Sequence, residues 1–178
     1  MNKIFFLICL AIALYASGIF GSSSQDKGEG PAPLISDMAL DYSIKATIGN
    51  KTLHEQNQFL FKKNKEGRFN CTEKVASDNI SLYTADTYTV DNYFVPEQNK
   101  FTLLVNSYPI WLPADKLENN DITGYEVTPV RWQGRNAFKL KMKNVKKNET
   151  RYYRQSDGIF LGATLKTKKV SQLVLLNH

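Results

Sequence analysis

Apolar and polar residues alternate along several short segments of this chain, and this alternation limits the available folds more than any other feature. In FKLKMK, residues 138–143, Phe138, Leu140 and Met142 alternate with three lysines. A period of two residues is typical of a β-strand with one buried face and one solvated face. The same period recurs in three earlier segments, which read DYSIKATI, LHEQNQFLF and RFNCTEKV. The chain is therefore predicted to fold mainly as β-sheet.

Short polar turns such as Gly49-Asn50 separate these segments, so most neighbouring strands should pair antiparallel. Helical periodicity is absent over any long window. Two prolines flank Ile110-Trp111-Leu112 in the region 107–121, and Pro113–Leu117 could open a short helix. A second helical turn is predicted at Leu34–Leu40. The predicted fold is all-β or β-dominated: a strongly curved antiparallel sheet, forming an open half-barrel, with one or two short helices.

The N-terminus has the features of a secretory signal peptide. Lys3 precedes an uncharged apolar run from Ile4 to Ala16, and Ala16-Ser17-Gly18 offers small residues for cleavage. An uncleaved membrane anchor is the alternative, but the run barely reaches the roughly 17 residues that a spanning helix needs. We predict a signal peptide at 1–18, with cleavage as late as 21, a flexible lead at 19–35 and a single antiparallel β domain at 36–178.

Cysteine usage bears on the compartment. Cys9 lies within the apolar run after Phe6-Leu7-Ile8, which does not fit a lipid-attachment site, so the mature chain keeps Cys71 alone. Without an internal disulfide, the domain depends on its core for stability. We predict export to the bacterial periplasm. The sequence also holds four N-x-S/T triplets, so a glycosylated eukaryotic product remains an alternative.

Residue patterns for catalysis or metal binding are missing from the sequence. The two histidines are His54 and the last residue, His178, and no His/Cys/Asp/Glu group has metal-ligand spacing. Cys71 falls on the apolar side of its strand, which favours a buried, inert thiol. We therefore predict a protein that is not an enzyme and that has no cofactor, metal or catalytic residues.

The formal net charge is +6, and lysines cluster around Lys139 and Lys141. Nucleic acid is not expected as a partner, because export removes the protein from it and the aromatic residues lie opposite the lysines. A solvated strand protected against aggregation is the favoured explanation of the lysine row. Transient contact with an anionic membrane surface is the alternative.

The apolar faces of the predicted strands carry many of the aromatic residues, which make up 12% of the chain. A second sheet could cover these faces, in which case the aromatic residues are an ordinary core. Partial cover by helices would instead leave a cleft for an acyl chain. The residues alone leave both readings open.

The region of about residues 40–170 resembles the lipoprotein-sorting carrier superfamily (LolA/LolB-like). The residues Gly134, Arg135, Ala137, Phe138, Leu140 and Met142 match a recurring strand motif of that family. A following strand, turn and return strand match at Tyr152, Tyr153, Asp157, Gly158 and Leu161, and an upstream turn matches at Pro96, Glu97, Asn99 and Lys100.

This resemblance implies an incomplete antiparallel β-barrel with a helical lid, whose concave side holds acyl chains of lipids or lipoproteins. The leading hypothesis is thus a soluble periplasmic carrier that binds lipid or a lipidated partner. Its predicted lining is Phe59, Phe61, Trp111, Phe138, Leu140 and Met142, with Trp111 in the lid. The second hypothesis is a structural or protein-interaction domain of the cell envelope, in which the same residues form a closed core. The sequence does not indicate an oligomeric state.

Overall fold

The computed structural model describes residues 37–66, 68–77, 80–90, 109–143 and 148–177, with backbone alone over 80–90. The predicted signal peptide and flexible lead lie outside these residues. The family-like turn at 96–100 also lies outside them, as do the last residue, His178, and two lysines that follow Lys139 and Lys141 in the sequence, Lys146 and Lys147.

Nine strands and one short helix make up the described part of the chain, in agreement with the predicted β-dominated class. The strands are β1 (Met38–Ile48), β2 (Lys51–Lys63), β3 (Phe69–Ser77), β4 (Ile80–Val90), β5 (Tyr125–Trp132), β6 (Arg135–Met142), β7 (Asn148–Arg154), β8 (Phe160–Lys166) and β9 (Val170–Leu176). The helix α1 spans Ala114–Glu118 and begins directly after Pro113, where the sequence predicted it.

All nine strands belong to one antiparallel sheet with the order β4-β3-β2-β1-β9-β8-β7-β6-β5. Strands β1–β4 and β5–β9 form two meanders, and the pairing of β1 with β9 joins them. The sheet is open, because β4 and β5 are its two edges. Edge strand β5 carries the exposed Pro129, which cannot donate a ladder hydrogen bond.

One face of the sheet, here called the inner face, carries most of the buried apolar side chains. On β1 the buried residues are Leu40, Tyr42, Ile44 and Ala46, which alternate with half-buried or exposed ones. The predicted two-residue period therefore holds through the strand. The lysines of β6 lie on the opposite, outer face, where Lys141 is exposed and Lys139 is half-buried.

A short stretch, residues 109–122, lies against the inner face and is called the covering segment. Its Ile110, Trp111 and Leu117 are part of the same buried cluster as the inner-face residues, and Leu112 and Ile122 pack against that cluster. Trp111 also forms an isolated antiparallel bridge with Ile159. The core is thus enclosed between one sheet and this segment.

The predicted helical turn at Leu34–Leu40 is wrong over its described part, because β1 begins at Met38. Met38 pairs with Phe61 of β2, and cross-strand pairing outweighs the local helical signal there. Asp37 accepts a hydrogen bond from the Lys63 backbone N–H at 3.0 Å, which further ties the start of β1 to β2. Among the described residues, no helix has the length and apolarity required to span a membrane.

Candidate functional site

The six residues predicted to line a cleft come from three parts of the chain, and the fold buries five of them in a single cluster. These five expose at most 6% of their surface: Phe59 0%, Phe61 1%, Trp111 4%, Phe138 6% and Leu140 1%. Met142 is half-buried at the end of β6, opposite Tyr125 in the register. Burial alone fits both a covered lining and a closed core, so the role of these residues as a lining stays a prediction.

Aromatic rings connect the two meanders across the inner face. Tyr42 of β1 lies edge-on to Phe59 with ring centroids 6.0 Å apart, and 5.7 Å from the ring of Phe160. Phe160 in turn lies 5.4 Å from Tyr153 of β7. These offset and tilted contacts are the favoured arrangements of aromatic pairs, and they make the inner face continuous from β2 to β7.

Both buried tyrosines use their hydroxyl groups to bind backbone. The Tyr42 hydroxyl donates to the Phe160 carbonyl at 2.8 Å, and the Tyr153 hydroxyl donates to the Pro109 carbonyl at 3.1 Å. Burial raises the pKa of each phenol above its ordinary value, because the phenolate would lose its hydration. The hydrogen bond from Tyr153 to Pro109 holds the start of the covering segment against β7.

The turn between β7 and β8 holds the next residues of the covering segment. The Trp111 indole N–H donates to the Asp157 carbonyl at 2.9 Å, and the Leu112 N–H donates to the Gly158 carbonyl at 3.0 Å. The Phe160 N–H returns a bond to the Ile110 carbonyl at 2.8 Å. Residues 110–112 are therefore attached to the sheet through these bonds and the isolated Trp111–Ile159 bridge.

Gly158 permits this attachment. Its φ of +72° is in the left-handed region, and a Cβ at this position would overlap the Leu112 carbonyl oxygen. The turn is further held by Arg154, whose guanidinium donates to both Asp157 carboxylate oxygens. The hydrogen bond to Asp157 is the main cause of the raised pKa of Arg154.

A buried ion pair also lies on the inner face, and the sequence alone did not predict it. Arg151 of β7 donates to Glu149 through Nε at 2.8 Å and Nη2 at 2.7 Å. The Arg151 guanidinium also lies 5.1 Å from the ring centroid of Tyr125. The pKa of Tyr125 is raised, with burial as the largest cause. Pairing is what allows a charged arginine to be buried beside Leu140.

Four more polar residues are buried on β2, β3 and β9, and the sequence analysis missed their burial as well. They are Glu55, Asn57, Glu73 and Gln172. The two-residue alternation along each strand is the sequence signal that could have predicted their burial. Glu55 and Asn57 have the same parity as Phe59 on β2, and Glu73 has the same parity as Cys71 on β3. The inner face is therefore apolar at Phe138, Leu140 and Phe160, carries an ion pair on β7, and is partly polar on β2, β3 and β9.

Within the described residues, no group of three or more His, Cys, Asp or Glu side chains could hold a metal ion. His54 is exposed on the outer face whereas its neighbour Glu55 is buried, so the two side chains point in opposite directions. Cys71 is buried and forms no disulfide, and its burial agrees with the prediction.

No protein-family model and no curated protein sequence matches this chain. Its fold is similar to a solved structure of MucB in complex with MucA(peri), with 9% identity and a TM-score of 0.40 over 78% of this chain and 48% of that one. A second match is the MucA/MucB complex of Pseudomonas aeruginosa, with 9% identity and a TM-score of 0.38 over 78% and 50%.

The chain thus spans about half the length of the solved chains that it matches. Likenesses of this distance assign no activity and no partner. Membership of the lipoprotein-sorting carrier superfamily stays a prediction.

Proposed function

We propose that this protein is a non-enzymatic protein of the bacterial periplasm that binds lipid or a lipidated partner against the inner face of its open sheet. The observation that carries the proposal is the way in which the inner face is covered. A broad apolar surface that includes Phe138, Leu140 and Phe160 is met by the short covering segment, which has only a single short helix.

The attachment of the covering segment supports this proposal. The four hydrogen bonds described above join residues 109–112 to Tyr153, Phe160 and the β7–β8 turn. If the covering segment moves away from the sheet, the space that Ile110, Trp111 and Leu117 occupy becomes an apolar cavity. An acyl chain matches that volume in chemistry, because it replaces buried hydrocarbon with hydrocarbon.

The lysines of the outer face suggest how the protein would meet a membrane. Lys139 and Lys141 of β6 point away from the core, and Lys141 is exposed. A basic outer face would favour transient contact with an anionic membrane surface, from which a lipid could be loaded.

The second candidate is an envelope interaction domain with a closed core and no ligand. A specific observation favours it: five of the six predicted lining residues expose 6% or less of their surface. In that case the covering segment is a permanent part of the core.

Lipid uptake by the purified mature chain separates the two candidates. The carrier proposal predicts co-purifying lipid in native mass spectrometry and saturable binding of a fluorescent fatty acid. A chain that folds fully, carries no lipid and takes up no fatty acid would establish the closed-core alternative.

Leu140→Glu gives a sharper version of this test, with Lys141→Glu on the outer face of the same strand as the matched control. If the inner face opens to water during binding, Leu140→Glu should abolish fatty-acid uptake while the chain stays folded. If the core is permanently closed, the same change should destabilise the fold by several kcal/mol, on the order of 3 or more, because a charge is buried. Lys141→Glu should leave the chain folded and should leave the uptake of a fatty acid from solution unchanged, because the proposed role of Lys141 is contact with membranes.

A further inference from the structure

Three polar side chains occupy neighbouring inner-face positions on β2 and β3, and Asn57 is the middle one. Glu55 and Asn57 are separated by one residue on β2, so their side chains share a face. Asn57 pairs with Val75 of β3, and Glu73 precedes Val75 by two residues on the same face. Asn57 therefore lies between two buried carboxyl groups, one on its own strand and one diagonal to it.

Asn57 is the residue that points to a ligand. Its side chain is fully buried, and neither its Oδ1 nor its Nδ2 atom has a hydrogen-bond partner. Buried amide groups are almost always hydrogen-bonded, since burial without a partner is unfavourable. An unpartnered buried amide that lies between the positions of two buried carboxyl groups is accounted for if a further molecule completes its hydrogen bonds.

We propose that Asn57, Glu55 and Glu73 form a subsite for a primary ammonium group, and that the group belongs to the headgroup of an aminophospholipid. This inference rests on the proposed function, since it identifies the class of lipid that the inner face would take.

The donor and acceptor inventory selects the ammonium group. Asn57 Oδ1 and the two carboxyl groups are acceptors, and a primary ammonium offers three N–H donors together with a positive charge. A quaternary choline has the charge but no N–H to donate. A glycerol headgroup has hydroxyl donors but no positive charge to pair with the two carboxyl groups.

The inner face offers an amphiphile an acidic region and a separate apolar region, with the Arg151–Glu149 ion pair on β7 next to the apolar one. The acidic and amide residues lie on β2 and β3, near the β4 edge of the sheet. The surface formed by Phe138, Leu140 and Phe160 lies on β6 and β8, on the other side of β1 and β9. A lipid could place its headgroup on the first region and its acyl chains along the second.

The experiment compares lipids with identical acyl chains and different headgroups. Wild-type protein is titrated against phosphatidylethanolamine, phosphatidylcholine and phosphatidylglycerol by displacement of a fluorescent fatty acid. We expect phosphatidylethanolamine to bind at least tenfold more tightly than the other two. Equal affinity for all three would overturn the inference and leave the proposed function intact. If no lipid and no fatty acid binds, the proposed function fails and the inference fails with it.

Soluble O-phosphoethanolamine serves as a separate arm. Competition by this compound at concentrations comparable to those of the lipid would show a site for free amines, and would overturn the assignment to a lipid headgroup. Absence of competition at a hundredfold higher concentration supports that assignment.

Asn57→Leu tests the residue itself, with Gln56→Leu as the control at the adjacent, exposed outer-face position. Asn57→Leu should reduce the affinity for phosphatidylethanolamine to that for phosphatidylglycerol and change fatty-acid affinity less than twofold. Gln56→Leu should keep the tenfold preference. If Asn57→Leu also keeps the tenfold preference, the proposed subsite is wrong. If Asn57→Leu does not fold, the comparison of headgroups with wild-type protein decides whether the inference holds.

Discussion

Gln172 on β9 is a buried amide of a different kind from Asn57, because no carboxyl group pairs with it in the register. Its side chain is 5% exposed, both of its polar atoms lack a hydrogen-bond partner, and its register neighbours are Ala46 and Leu165. Gln172→Leu replaces an unpartnered amide with hydrocarbon of similar size. We expect the free energy of unfolding to rise by about 1–3 kcal/mol in urea denaturation.

The control for this prediction is Gln56→Leu, which makes the same chemical change at an exposed position. Its effect should stay within about 0.5 kcal/mol. Destabilisation by Gln172→Leu would mean that the amide has a bonding role in solution.

The buried phenols of Tyr42 and Tyr153 predict alkaline instability. Burial raises both pKa values, whereas tyrosine in an unfolded chain loses its proton near pH 10. Above about pH 10 the folded chain therefore holds more protons than the unfolded chain. The free energy of unfolding should then fall as the pH rises, by about 1.4 kcal/mol per pH unit for each tyrosine.

Urea denaturation of Tyr42→Phe across pH 7–11 measures the part of this loss of stability that is due to Tyr42. The variant should differ from wild type by a constant amount below about pH 9, because the hydrogen bond to Phe160 is lost. Above about pH 10 the curve for the variant should fall less steeply. A slope equal to that of wild type would contradict the assignment to Tyr42.

At the scale of single residues, the alternation along each strand predicts which side chains share a face, but not how every position on that face is filled. Phe59, Phe61, Phe138 and Leu140 are buried as their parity predicts. Asn57 has the same parity and is equally buried. Its burial could not be inferred from its polarity, because solvated polar residues are far more common and tertiary contacts decide the exceptions.

The covering segment is the element whose position depends most on a single turn. Gly158 in the β7–β8 turn combines a positive φ with a close approach to Leu112. Gly158→Ala should strain the backbone and push residues 110–112 away from the turn. In a Trp132→Phe background, which leaves Trp111 as the single tryptophan, we expect Trp111 to become more accessible, seen as red-shifted emission and stronger acrylamide quenching. The stability should fall by clearly more than about 1 kcal/mol.

Gly134→Ala separates the cost of a positive φ from the cost of the close approach to Leu112. Gly134 has a φ of +76°, close to that of Gly158, but a Cβ there meets no atom within 4 Å. This control should show the backbone cost of about 1 kcal/mol without a change in Trp111. Equal effects of the two substitutions would mean that contact with Leu112 is unimportant.

At the scale of elements, the sequence predicted α1 and most strands, since proline, turn residues and the two-residue period are local signals. The helical turn expected at Leu34–Leu40 was wrong over 38–40 because Met38 pairs with Phe61, a distant residue. The docking of Trp111 against Asp157 likewise depends on a contact between residues far apart in the sequence, which no local signal predicts.

At the scale of the whole molecule, the meanders follow from short polar turns, but the contact that unites them does not. Strand β1 pairs with β9, which is more than a hundred residues away in the sequence, as in the pair Ile44 and Val174. No local sequence signal specifies this pairing. It is favoured because it completes the burial of the inner face. Without it, the sheet would be two separate four- and five-stranded pieces.

This arrangement predicts that the two meanders unfold together. Cys71 on β3 is a buried thiol that reports on the first meander, and the fluorescence of Trp111, attached to the β7–β8 turn, reports on the second. In a chain with Cys9 replaced by serine, thiol reactivity and tryptophan emission should show the same urea midpoint. Because both halves share the β1–β9 ladder and one core cluster, neither should persist alone.

Val174→Asp tests the origin of that coupling, with Leu173→Asp as the control. Val174 is fully buried between Ile44 and Ala163, so a charge there should lower both midpoints equally and strongly, by about 3 kcal/mol or more in stability. Leu173 is half-buried beside the exposed Lys45 on the outer face, where an aspartate is tolerated at a much smaller cost. If Val174→Asp shifts the tryptophan transition while Cys71 stays protected, the meanders are independent, and the covering segment would then be free to open without loosening β1–β4.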